Sequence, residues 1–119
     1  RENNSMKLIF HWFISTIAII IAAYLLPHVA VESFLAALIL AVVLAALNLL
    51  IKPILIILTL PVNILTLGLF TLVINAFLVW LASLIVPGFV IGNFGWAILF
   101  ALVLSVINIA FKHMSKDNN

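Results

Sequence analysis

Few side chains in this 119-residue chain could do chemistry, and those few are thinly spread. Asn48, Asn75 and Asn108 are amides set in long apolar runs. Read as chemistry, they could line a polar constriction or hold a headgroup or an ion. Read as structure, each is interhelical glue contributing about 0.6 to 2 kcal/mol in a bilayer. His11, His28 and His113 lie far apart, with no second ligand at metal-binding spacing, so no metal site is expected. Glu32 is a lone carboxylate, and acid–base pairs, nucleophile–base pairs and glycine-rich phosphate loops are missing. No charged residue or histidine falls deep within an apolar run, which leaves a proton relay or a charged-substrate transporter without machinery. With no cysteine, disulfides and thiolate sites are excluded. The expectation is a non-enzyme with no catalytic residue, no cofactor, no metal and no identifiable small-molecule substrate.

The elements that position these residues follow from composition. Hydrophobic side chains make up 68% of the chain and charged ones 7%, with a net charge of +2 and a mean hydropathy of +1.49. A soluble domain has about 25% charged residues. The chain is therefore expected to be all-α and integral to a membrane, with the lipid bilayer as its partner. Its basic residues sit near helix ends, which is orientation chemistry and no nucleic-acid footprint. Arg1 to Ser5 reads as an expression remnant or a disordered start. Four spans are expected: Leu8 to Leu26, closed by Pro27; Phe34 to Ile51, ended by Lys52-Pro53; Gly68 to Val86; and Trp96 to Phe111. Trp12 and Tyr24 mark opposite headgroup levels of the first. The loop from Pro87 to Gly95 carries Phe89, Val90, Ile91 and Phe94 and is expected at the interface.

The central stretch Lys52 to Phe70 is apolar, yet Pro53 to Leu67 is only about 15 residues, or about 22 Å as a helix, against a hydrocarbon core of about 30 Å. Pro61 removes a donor and pushes Leu60 from helical geometry, so two half-helices are expected. Thr59, Asn63 and Thr66 recur at i, i+4 and i+7, gathering the polar side chains on one face. Residues 53–67 are expected to be re-entrant or interfacial, covered by neighbours or partner copies, with Gly68 as the corner at positive φ.

Sliding the chain by sixty residues superimposes Phe10 on Phe70, Pro27 on Pro87, Phe34 on Phe94, Asn48 on Asn108 and Lys52 on Lys112. Two helical hairpins, 6–52 and 68–112, are thus expected as repeats about a pseudo-two-fold axis along the membrane normal, with 113–119 as a cytoplasmic tail. On the second span Ala37, Ala41, Ala45, Asn48 and Lys52 share a stripe; on the fourth, Ala97, Ala101, Ser105, Asn108 and Lys112 do. Small residues permit close approach and amides bond across it, so these spans should pack together or across copies of a homo-oligomer. With both termini cytoplasmic, Lys7, Lys52, Lys112 and Lys116 fall inside and Glu32 outside, as the positive-inside bias expects.

Asn-x-x-x-Lys-Pro-Ile-Leu from Asn48, Leu-Pro-x-Asn-Ile-Leu-Thr-Leu-Gly-Leu-Phe from Leu60, Asn75-Ala76 and Pro87-Gly88-Phe89 resemble the small four-span proteins of phage holin family 4, superfamily IV. The resemblance covers nearly the whole chain from Met6. It implies a bacterial cytoplasmic membrane protein that oligomerises and permeabilises the bilayer for a lytic enzyme, with Asn48, Lys52, Pro53, Pro61, Thr66, Gly68, Phe70, Asn75, Gly88 and Phe89 at characteristic positions. Two alternatives stand beside it. One is a non-lytic oligomeric scaffold or envelope-stress protein. The other is a small channel or lipid-handling protein whose cavity is lined by Asn48, Asn75 and Asn108.

Overall fold

A computed structural model of the chain describes residues 2–117, with side chains from 4 to 114. The elements run α1 (Glu2–Leu25), β1 (Val29–Val31), α2 (Phe34–Leu50), α3 (Lys52–Leu58), α4 (Leu60–Leu65), α5 (Phe70–Ile85), β2 (Phe89–Ile91) and α6 (Phe94–Asp117). Three stretches, Asn4–Leu25, Phe34–Leu58 and Phe94–Met114, are long and apolar enough to cross a membrane. The fourth, α5, has 16 residues and measures about 24 Å. The molecule is a helical membrane protein with four apolar helices.

Three boundaries differ from the sequence reading. Glu2 to Ser5 are helical, since nothing between them and Met6 breaks a helix; Arg1 lies outside the described residues. At the other end α6 continues to Asp117 through a tail free of Pro and Gly. Lys52-Pro53 does not break the helix that carries the second span. Ile51 keeps right-handed dihedrals, φ −97° and ψ −42°, its N–H bonds Leu47 O at 2.9 Å, and Leu55 N–H bonds Ile51 O at 3.1 Å. Pro53 sits in the first turn of α3, where its missing donor costs little, so α3 follows α2 directly.

The loop between α1 and α2 pairs with the loop between α5 and α6. β1 and β2 run antiparallel, with Val29 opposite Ile91, Ala30 opposite Val90 and Val31 opposite Phe89. Flanking bonds close the ladder at both ends: Glu32 N–H to Gly88 O and Gly92 N–H to His28 O, each 2.8 Å. Ser33 Oγ accepts from Ala36 N–H at 3.1 Å to cap α2, and Asn93 Oδ1 accepts from Trp96 N–H at 3.1 Å at the start of α6. Each of these bonds has its counterpart sixty positions along. Sequence reading placed Phe89 in the interface. It is buried instead, its ring centroid 5.4 Å from that of Phe100, because alternation along a strand turns Val29 and Phe89 inward and Ala30 and Val90 outward.

The four long helices pack as a ring: α1 on α2, α2 on α5, α5 on α6 and α6 on α1. This places α2 and α6 across the ring from each other. Ala22, Ala37, Ala82 and Ala97 are fully buried beside Leu40, Phe100, Val29 and Phe89, so the core is closed by side chains. The outer surface carries Leu, Ile, Val and Phe, the inverse of a soluble bundle. Trp12 ties α1 to α2 by donating from Nε1 to Leu38 O at 3.0 Å, which adds a packing role to the headgroup role expected for it.

Candidate functional site

The densest polar cluster lies where α3, α4 and α5 meet. Asn63 is its hub and, at 8% exposure, one of two buried polar side chains among the described residues. Its Nδ2 donates to Thr59 Oγ1 at 3.1 Å, and its Oδ1 accepts from Thr71 Oγ1 of α5 at 3.0 Å. Thr59 Oγ1 in turn donates to Leu55 O at 2.8 Å, closing the chain of bonds on backbone. The polar face of the central segment thus turns into the protein. Its Leu and Ile face, including Ile57, Leu58, Ile64 and Leu65, turns out.

The corner after α4 is a two-bond helix cap. Gly68 N–H bonds Asn63 O at 2.8 Å and Leu67 N–H bonds Ile64 O at 3.2 Å, the 6→1 and 5→2 pair that ends many helices. Thr66 Oγ1 accepts from Phe70 N–H at 3.1 Å and so starts α5. Gly68 has φ +89°, and a Cβ there would meet nothing within 4 Å. The left-handed position proper is held by Leu67, at φ 58° and 92% exposed. Sequence reading singled out the glycine and missed the leucine before it. Thr71 was missed too, although its place one turn before Asn75 on an apolar helix was a signal.

The three amides that the channel alternative would bring together do not converge within one chain. Asn48 and Asn108 lie exposed on the outer surfaces of α2 and α6, and Asn75 is half-buried on α5. Two hollows lie elsewhere: a groove of about 380 Å³ bordered by Ile20, Tyr24, Val31 and Phe34, and one of about 480 Å³ bordered by Asn4, Lys7, Leu8 and His11. Within one chain, Asn48, Asn75 and Asn108 thus border no common hollow among those described. The small-residue stripes divide as well. Ala37, Ala41, Ala97 and Ala101 are buried within the chain, Ser105 is half-buried, and Ala45 is exposed. Their partners are α1 and α5, so α2 and α6 do not pack as a direct pair. Lys52 is half-buried at the α2–α3 junction, Pro53 and Pro61 are exposed, and Thr59 and Thr66 are half-buried around Asn63. His28 stacks on Trp96 at 4.7 Å, while His11 and His113 lie near the chain ends.

Residues 6–110 match the family model described as mycobacterial 4 TMS phage holin, superfamily IV. The chain belongs to this family. Among curated relatives of this holin-family protein, the "Uncharacterized membrane protein YvlD" of Bacillus subtilis is 44% identical over 95 residues, 79% of each chain. The "Uncharacterized protein SCO3922" of Streptomyces coelicolor is 33% identical over 112 residues, 86% of this chain and 90% of that one. No solved structure matches the chain. Membership in the holin family points to a non-enzymatic membrane protein.

Proposed function

We propose that this protein is a holin-like component of the bacterial cytoplasmic membrane that associates with copies of itself and breaches the bilayer as an assembly. The observation that carries this reading is the closed core: Leu40, Phe100 and four alanines fill the ring, so a path for solutes must form between copies. The exposed ends of α2 and α6, around Ala45 and beside Ser105, are the faces through which copies meet. Because α2 and α6 lie across the ring, each copy has two such faces, a geometry that permits open-ended arrays.

The chain is built of two repeated hairpins related by an axis through the Ala30–Val90 pair. Support comes from the backbone bonds and helix caps that recur sixty positions apart with equal lengths. Residues 53–67 turn back without crossing, fastened by Asn63, and both termini are cytoplasmic, in keeping with the lysine distribution. A non-lytic scaffold is the second reading, favoured by the outer surfaces of α2 and α6, where Asn48 and Asn108 stand singly among exposed Leu49, Leu50, Val106 and Ile109.

Membrane potential during induced expression in a bacterium, with and without a co-expressed cytoplasmic endolysin, separates the two. Abrupt depolarisation with endolysin-dependent lysis, delayed or lost in an Ala45→Leu, Ser105→Leu variant at matched membrane level, supports the holin reading. A steady potential at high inserted levels supports the scaffold.

A further inference from the structure

The chain carries the same pair of side chains twice, with Asn48, Asn108 and Lys112 exposed on the outer surface and Lys52 half-buried at its edge. Asn48 and Lys52 lie one turn apart on α2–α3, and Asn108 and Lys112 one turn apart on α6. Counted from the first residue of α2 or α6, each amide lies about 21 Å along the axis and each ammonium about 27 Å. Against a hydrocarbon core of about 30 Å, the lysines reach the headgroup boundary and the amides sit just below it. Asn48 and Asn108 are exposed among outward-facing Leu49, Leu50, Val106 and Ile109, and neither has a hydrogen-bond partner among the described residues. An amide in such surroundings needs a partner, and at the edge of the contact between copies that partner is lipid.

We infer that each Asn-x-x-x-Lys pair is a clamp for one anionic glycerophospholipid. The lysine meets the phosphate, a match of opposite charge, and the asparagine Nδ2 donates to an ester carbonyl just below that phosphate. One helical turn of about 5.4 Å suits this stacked pair of acceptors. Lysine can extend its apolar stem along the helix and keep its ammonium at headgroup level, which half-buried Lys52 and exposed Lys112 both allow. Lys7 on α1 has Asn4 beside it in the same hollow, but that amide lies on the chain-terminal side of the lysine, whereas Asn48 and Asn108 lie one turn further into the apolar run than their lysines. The inference goes beyond the permeabilising role and does not depend on it, since a scaffold would bind lipid by the same residues.

The full chain, purified from vesicles of equimolar phosphatidylglycerol and phosphatidylcholine, would be examined by native mass spectrometry for retained lipid. Two phosphatidylglycerol molecules are expected on the wild type, in preference to phosphatidylcholine. Charge at a membrane surface changes affinity by about fivefold per lysine, so Lys52→Gln, Lys112→Gln should weaken retention about fivefold at each clamp. Lys52→Arg, Lys112→Arg should restore it, separating charge from folding. Asn48→Leu, Asn108→Leu should also lower retention with the fold intact by circular dichroism. Equal retention of the two lipids, or unchanged phosphatidylglycerol binding in the Gln variant, overturns the clamp. Loss of self-association in the Leu variant with lipid retention unchanged overturns it too, by assigning the amides to a second copy.

Discussion

Leu67 holds a β-carbon in the left-handed region, where its carbonyl crowds the side chain, and nearly all of that side chain is exposed. The conformation costs about 1 to 2 kcal/mol for an L-residue, and the two cap bonds from Leu67 and Gly68 offset it. Leu67→Gly is therefore expected to raise unfolding stability by about 1 kcal/mol in a denaturant titration in detergent. Two glycines give a matched comparison. Gly68→Ala meets only backbone strain, because its Cβ points into open space, and should cost about 1 kcal/mol. Gly88→Ala has the same positive φ, +88°, and would also place its Cβ 3.1 Å from Glu32 Cβ, so it should cost more. The corner at Gly68 was legible in the sequence because glycine near a broken apolar segment signals positive φ. Leu67 was not, since no residue type advertises a strained leucine.

Among the elements, the central segment and the sheet differ in how far they could be read. The period of Thr59, Asn63 and Thr66 was visible in the sequence, but its direction was not: in a bilayer a polar face turns inward as readily as toward a headgroup layer. Only Thr71 on α5 decides it, by its 3.0 Å bond to Asn63. Asn63→Leu leaves Thr59 and Thr71 without that partner and is expected to cost about 2 kcal/mol. A double-mutant cycle with Thr71→Val should show coupling. The β1–β2 pair was hidden because three-residue strands carry little pattern and their partners lie sixty positions apart. Val-Ala-Val and Phe-Val-Ile were the available signal, short β-rich triplets after Pro-His and Pro-Gly. Phe89→Ala removes a buried ring stacked near Phe100 and is expected to destabilise the fold by about 3 kcal/mol, read in the same titration.

For the whole molecule, composition alone fixed the class, because a chain with so few charges and so long a set of apolar runs has no soluble solution. The four helices could be counted from Pro, Gly and Lys positions, except that Lys52-Pro53 continued a helix it was expected to end. What could not be counted was which helices touch: alanine stripes on α2 and α6 suggested a pairing with each other or across copies, and within one chain the ring α1–α2–α5–α6 gives them α1 and α5 as partners. The closed ring has a consequence for function. One copy offers solutes no route through its middle, so in the proposed holin role permeability would rise with a high power of surface density. Dye release from vesicles of fixed lipid composition, measured against protein per vesicle counted by single-molecule photobleaching, tests this directly. The account predicts no release at one copy per vesicle and a steep threshold at several. Release proportional to copy number, beginning at one, would contradict it.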